Sequence, residues 1–117
     1  MKNFSFSYSE RLHSQKDFNK VFKNGIKLEN KAVKILAYKK SGVYIKRLGL
    51  ITSRKVGIAV ERNRLKRRLR EIFRTNKHLL APGLDIIFIS KSYGASLDYN
   101  SLKKNVLDLL KGVSKNL

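Results

Sequence analysis

A strongly basic segment, residues 54–74, constrains the fold of this chain more than any other stretch. From about Ala59 onward, apolar residues recur at the spacing of an amphipathic helix: Leu65, Leu69, Ile72 and Phe73. At about 100° per residue, the side opposite these residues is almost wholly cationic. Lys66, Arg70 and Arg74 form an i,i+4 series without acidic relief, and each like-charge pair costs a few tenths of a kcal/mol. A polyanionic partner would remove this cost.

The alternative for this face is an ordinary solvated helix surface. Exposed helices usually interleave acidic and basic residues at i,i+4, whereas this segment contains only Glu61 and Glu71 as acids. Its cations are mostly arginines, and the planar guanidinium group suits phosphate better than the lysine ammonium does. The chain also carries a formal net charge of +19. Self-repulsion on that scale destabilises a compact chain, so we expect a strongly anionic partner.

The length and composition of the chain are typical of one small folded domain. Its 117 residues are 42% hydrophobic, which supports a modest core rather than a disordered basic tail. The chain has no cysteine, no apolar run of the roughly 20 residues that span a bilayer, and no secretory signal pattern. We therefore expect a single cytoplasmic domain over residues 1–117. Residues 1–13 are interpreted either as an arm that orders on RNA or as a frayed terminus.

Local patterns before the basic segment predict one helix and up to three strands. A helix over about 15–24 is expected to begin after an N-cap at Ser14 and to end at Gly25. It carries an aromatic stripe that includes Phe18 and Phe22, and such a stripe is more often core than ligand platform. Residues 33–38 and 47–53 are typical of strands, with a short leading strand at 26–29 and a turn at residues 41–42.

The pattern after the basic segment predicts a turn, a strand and a helix. Residues 81–83 predict a turn that ends the helix, and residues 84–89 form an apolar run typical of a buried central strand. Residues 91–95 are expected to form a loop. Asp98 then caps a final helix whose apolar stripe includes Leu102, Val106 and Leu110. The resulting order of helices and strands indicates an α/β sandwich.

These motifs together resemble the protein subunit of bacterial ribonuclease P. The triplet Arg62-Asn63-Arg64 opens the basic helix, and the stretch Ser53-Arg54-Lys55-Val56-Gly57 precedes it. Residues 11–12, 17–18 and 21–22, the strand that ends at Ser53, the strand from Asp85 and the last helix follow in the family's order. The resemblance covers about residues 11–112. The triplet alone would be a weak signal, whereas the whole pattern is specific.

The resemblance implies a fold and a function. The fold would be a two-layer α/β sandwich of αβββαβα order, with a central mixed sheet and a left-handed crossover through the arginine-rich helix, against the usual right-handed preference. The chain would be the protein component of ribonuclease P, whose catalytic RNA, with magnesium, removes the 5′ leader of precursor tRNA. The expected partners are that catalytic RNA and the leader, with no membrane and no small-molecule substrate. Magnesium is expected with the RNA, and no cofactor on the protein.

The resemblance also assigns two sets of site residues. RNA contacts are expected at these positions: Arg11, Ser53, Arg54, Lys55, Arg62, Asn63, Arg64, Lys66, Arg67, Arg70 and Arg74. A cleft for the single-stranded leader is expected at these: Phe18, Phe22, Leu36 and Tyr38. Cations would contact phosphates without reading sequence, whereas aromatic rings would stack on unpaired bases. For Asn63, capping within the first helical turn is an alternative to RNA contact.

The sequence shows no pattern for chemistry by the protein itself. Its two histidines, His13 and His78, lie in distant segments, and its eight carboxylates are scattered without metal-ligand spacing. We therefore predict no catalytic and no metal-binding residues. Two alternative functions remain open at this point. One is a non-catalytic, ribosome-associated rRNA-binding protein, and the other is a stand-alone hydrolase that depends on His13 or His78.

Overall fold

A four-stranded mixed sheet lies at the centre of the computed structural model, which describes residues 8–117. Its strands are β1 (Ile26–Glu29), β2 (Val33–Lys39), β3 (Arg47–Ile51) and β4 (Leu84–Ser90), in the spatial order β1-β2-β4-β3. β2 pairs antiparallel with β1 and β4, whereas β3 pairs parallel with β4. The helices are α1 (Gln15–Asn24), α2 (Ala59–Asn76), α3 (Ser92–Ser96) and α4 (Tyr99–Lys115).

Most of the predicted helix and strand boundaries are confirmed, and the two predicted N-cap residues form their capping hydrogen bonds. Ser14 caps α1 by accepting the Asp17 N–H at 3.0 Å, and Asp98 caps α4 by accepting the Ser101 N–H at 2.8 Å. β3 ends two residues earlier than predicted, since the chain turns into a short 3-10 helix at Arg54–Val56. The predicted loop at 91–95 is wrong, because residues 92–96 close one helical turn.

The larger core lies between one face of the sheet and helices α2 and α4. Alternate residues of β2 and β4 point into it, and α2 and α4 contribute their predicted apolar stripes. Phe73 of α2 meets Phe88 of β4 edge to face, with ring centroids 6.4 Å apart. Because Leu65, Leu69 and Ile72 of α2 are also buried here, its arginine-rich side faces outward.

Helix α1 covers part of the other face of the sheet. Val21 packs there with Leu12, Leu36 and Ile87 in a smaller core. The two-layer description is therefore incomplete, since α1 adds a partial third layer. The α/β class, the mixed sheet and the αβββαβα order are confirmed, with the single-turn α3 as an addition. β3 and β4 are joined by a crossover through α2, and its left hand stays a prediction.

The residues just before α1 join the edge of the sheet. Arg11 forms a parallel bridge with Leu48, and the Leu12 N–H donates to the Leu48 carbonyl oxygen at 2.9 Å. Leu12 is only 6% exposed. Residues 11 and 12 therefore belong to the sheet rather than to an arm. The rest of the predicted arm before residue 8 lies outside the described residues.

A group of three charged residues, of which only Asp85 is fully buried, links α1 to the sheet. Asp85 of β4 is 2% exposed, and it accepts Arg47 Nε at 2.8 Å and Arg47 Nη2 at 2.7 Å. Arg47 Nη1 also donates to Asp17 of α1 at 3.1 Å. The hydrogen bonds that Arg47 donates to Asp85 raise the pKa of Arg47. Burial alone would raise the pKa of Asp17, but the Ser14 hydrogen bond and the charge of Arg47 outweigh it and lower that pKa. Arg47 and Asp17 therefore both stay charged at neutral pH.

Candidate nucleic-acid interface

The outward side of α2 carries cations that no internal partner neutralises. Arg64 and Arg67 are exposed, and Lys66 and Arg70 are half-buried along one flank. Within residues 8–117, none of these four side chains makes an ion pair or a hydrogen bond. A helix face of this kind attracts phosphate groups, as the sequence predicts.

Two other arginines of α2 have partners within the protein. Arg74 pairs with Glu71, with Arg74 Nε donating to Glu71 Oε2 at 3.0 Å. This hydrogen bond raises the pKa of Arg74 and lowers that of Glu71. The prediction that no acidic residue neutralises the series Lys66, Arg70 and Arg74 is therefore wrong at Arg74. Arg68 donates from Nη1 to the Leu97 carbonyl oxygen at 3.1 Å, which ties α2 to the segment before α4.

The start of α2 adjoins an exposed basic turn. Ser53, Arg54 and Lys55 are all exposed, and Asn63 is exposed on the first turns of the helix. Arg62 is half-buried, and its Nε is buried with no hydrogen-bond partner among the described residues. The predicted contacts of this region thus lie together at one end of α2.

A pocket of about 240 Å³ beside the edge strand β3 joins the N-terminal residues to α2. Its lining includes Arg11 and His13, Phe18 of α1, and Lys66 and Arg70 of α2. Three predicted RNA contacts from distant parts of the chain therefore meet at one place. The pocket also lies beside a predicted cleft residue, Phe18, so the two predicted surfaces are continuous here.

The register of the sheet places three partly exposed residues in one row on the face that α1 covers in part. Lys34 pairs with Ile89, and Ile89 pairs with Ile51, so these three residues form one row across the sheet. All three are half-buried, and the two isoleucines pack at the margin of the smaller core. Beyond Ile51 the chain continues to the exposed turn at residues 53–55. We call this row, with Phe18 and Phe22 of α1, the α1 cleft.

The fold leaves some of the predicted leader-cleft residues accessible and buries another. Phe18 is half-buried and Phe22 is 36% exposed, so both rings have surface that a ligand can reach. Leu36 is 1% exposed beneath α1, which corrects its assignment to the cleft, since it has no surface to offer. Tyr38 is half-buried and pairs with Asp85, two rows from Ile89. It packs against the same smaller core as Ile51 and Ile89, and its place in the leader cleft stays a prediction.

Sequence patterns missed the cleft residues Ile51 and Ile89. Both were expected inside strands, but their half-exposure depends on how far α1 extends over the sheet. Knowledge of the register would have placed them in a row with Lys34.

Gly49 of β3 makes room for the Phe18 ring. A Cβ atom added at residue 49 would lie 2.5 Å from Cζ of Phe18 and 3.3 Å from Cδ2 of Leu12. We expect Gly49→Ala to displace the ring and to lower the free energy of unfolding by about 1–3 kcal/mol, the usual cost of overpacking. Urea denaturation measures this loss. Gly112→Ala in α4 is the control, because it meets only the end of the Leu28 side chain. Equal midpoints for Gly49→Ala and the wild type would contradict this packing.

The two histidines of the chain belong to different parts of the structure. His13 lines the pocket beside β3, whereas His78 follows α2 in a 3-10 turn at Lys77–Leu79 and does not line that pocket. Over residues 8–117, no three or more acidic or histidine side chains cluster so as to hold a metal ion. In the same part of the chain, no helix has the length and apolarity required to cross a membrane.

Comparisons with known proteins bear on this combination of fold and surface. Residues 6–114 match the family model described as Ribonuclease P. The ribonuclease P protein component of Thermotoga maritima is 38% identical over 113 residues, which cover 93% of this chain and 96% of that protein. The solved structure of the Thermotoga maritima RNase P protein matches with a TM-score of 0.79 and 38% identity, covering 89% of this chain and 97% of that one.

A more distant solved structure has the same fold. The Staphylococcus aureus RNase P protein matches with a TM-score of 0.82 and 27% identity, over 90% of this chain and 97% of that one. These relatives support ribonuclease P rather than the ribosome-associated alternative. The chain therefore belongs to the ribonuclease P protein family, whose members are the protein component of the endoribonuclease that processes the 5′ end of tRNA.

Proposed function

We propose that the protein divides its two surfaces between two RNAs. As a member of its family, the chain is a partner of ribonuclease P RNA. In this proposal α2 and the turn at residues 53–55 bind that RNA, while the α1 cleft holds the unpaired 5′ leader of precursor tRNA. The complex acts in the cytoplasm, and magnesium is held by the RNA.

The observation that carries the leader proposal is the composition of the α1 cleft. Its floor is apolar and half-exposed, at Ile51 and Ile89, and the Phe22 ring is accessible beside it. Exposed Arg54 and Lys55 follow at the end of the floor. Single-stranded nucleic acid is bound with little sequence preference by this combination of stacking rings and flanking cations.

The proposed role in processing predicts an effect on the magnesium requirement. With the cognate catalytic RNA and precursor tRNA, adding the protein should lower the magnesium concentration needed for cleavage, because its cations replace part of the ionic screening. Cleavage rates across a magnesium series, with and without protein, test this. The proposal fails if the protein leaves the magnesium dependence unchanged. Cleavage by protein alone, lost on substituting His13 or His78, would instead favour the stand-alone hydrolase.

Phe22 provides a test of the leader contact. Phe22→Ala should weaken binding of leader-bearing precursor tRNA to the assembled holoenzyme by roughly 5- to 150-fold, the value of one base stack. Binding of mature tRNA should change little, since it has no leader. Phe22→Tyr retains the ring and is the matched control. If Phe22→Ala weakened both RNAs equally, the α1 cleft would not be the leader site.

A further inference from the structure

A second pocket lies on the flank of α2 that faces away from the edge of β3. Its volume is about 440 Å³, within the usual range for ligand pockets, and it lies between α2 and the start of α4. It is lined by Arg64, Arg67, Arg68 and Glu71 of α2 and by Tyr99 of α4. We call it the α2–α4 groove. Because α2 and α4 pack on the face of the sheet opposite α1, this groove is separate from the α1 cleft.

The charges in the α2–α4 groove leave two cations available. Glu71 is paired with Arg74, so its charge is already compensated. Arg68 donates to the Leu97 carbonyl oxygen and lies near enough to Asp98 to help lower the pKa of that carboxyl, after the larger effect of the hydrogen bonds from Ser101. The exposed Arg64 and Arg67 have no such partners within residues 8–117. The groove therefore presents two uncompensated guanidinium groups.

Tyr99 adds an aromatic wall to these cations. The side chain is half-buried, with part of it packed against the larger core and part lining the groove. Burial raises the pKa of Tyr99, and the charge of Glu71 acts in the same direction. Its hydroxyl group therefore stays protonated at neutral pH and can donate a hydrogen bond. A ring whose position is fixed by packing loses little entropy on stacking with a ligand.

We propose that the α2–α4 groove binds an unpaired nucleotide of ribonuclease P RNA, with its base stacked on Tyr99 and its phosphate on Arg64 and Arg67. This inference rests on the proposed function, and it adds a stacking residue to an interface otherwise made of cations. An acidic protein segment could pair with the two arginines, but it would make no use of the aromatic wall. A nucleotide uses both features of the groove.

A single fluorescent reporter can test the groove directly. The chain contains no tryptophan, so Tyr99→Trp introduces the only indole. Adding the catalytic RNA should quench its emission, because a base stacks on the ring. Tyr44→Trp is the control, since Tyr44 is 82% exposed and lies in the loop between β2 and β3. Quenching by polyglutamate but not by RNA would overturn the proposal in favour of an acidic protein partner.

Affinity measurements give an independent readout. Tyr99→Leu, which keeps the apolar packing, should weaken binding of the catalytic RNA by roughly 5- to 150-fold, the value of one stack. Its salt dependence should be unchanged, since no charge is lost. Tyr99→Phe should bind within about twofold of the wild type, and equal urea midpoints would establish that both variants fold. If the wild type binds RNA and Tyr99→Leu binds equally well, the groove proposal alone is overturned. If the wild type does not bind the catalytic RNA, the proposed function fails.

Discussion

Replacing Arg47 by Ala should destabilise the protein by about 3 kcal/mol, the lower end of the usual range for breaking a buried ion pair. The variant leaves the carboxylate of Asp85 buried, at 2% exposure, with Lys40 Nζ at 3.2 Å as its remaining cation. It also removes the hydrogen bond from Arg47 to Asp17, so α1 loses a tie to β3. Urea denaturation should show a midpoint lower by at least about 1 M.

A double variant can show whether Arg47→Ala loses stability because the ion pair is broken or because the fold is disrupted in general. Arg47→Met combined with Asp85→Leu removes both charges and should recover much of the stability, because apolar pairs of similar volume often replace buried ion pairs without cost. Lys39→Ala, at an exposed position in the same region, should unfold like the wild type. If Arg47→Ala unfolded within about 0.5 kcal/mol of the wild type, the charge group would not be structural, since ordinary surface substitutions fall within that range.

Removing three cations from α2 should have the largest effect on RNA binding. If about five cations of this region contact phosphates, the slope of log K against log salt is roughly −3.5 to −4.5. The triple variant Arg64→Gln, Arg67→Gln, Arg70→Gln should make this slope less steep by about 2–3, and Arg67→Ala alone should do so by about 1. Filter binding to the catalytic RNA between about 0.1 and 0.5 M salt measures both slopes, a range in which phosphate contacts dominate.

A second triple variant gives a control with the same change in net charge. Lys104→Gln, Lys111→Gln and Lys115→Gln lie at exposed positions of α4. If the contacts are local to α2, this control should keep nearly the full slope. Equal losses of slope in the two triple variants would mean that net charge, rather than the face of α2, determines RNA binding.

The sequence predicted best where a local pattern determines the outcome. The positions of Leu65, Leu69 and Ile72 required one side of α2 to be buried, and this orientation follows from the helical period alone. Ser14 and Asp98 act as caps because their side chains reach N–H groups only three residues away. Such features need no knowledge of the tertiary structure.

The incorrect predictions involve contacts between distant segments. Leu36 shares a strand face with Tyr38, but its burial depends on α1 lying above it, which strand alternation does not reveal. Arg74 was counted as unpaired although Glu71 stands at i−3, a spacing that was available in the sequence. Tyr99 gave no signal, since its position beside Arg64 and Arg67 arises only when α4 packs against α2.

The strand order β1-β2-β4-β3 affects how the chain can fold during synthesis. β2 and β3 follow one another in sequence, yet β4 lies between them in the sheet, so neither can pair with β4 until residue 90 has left the ribosome. By then the whole arginine-rich helix has already emerged, and the repulsion among its basic side chains opposes collapse of the nascent chain. A polyanion that bound this helix early would relieve the repulsion, so assembly with RNA and completion of the sheet should assist one another.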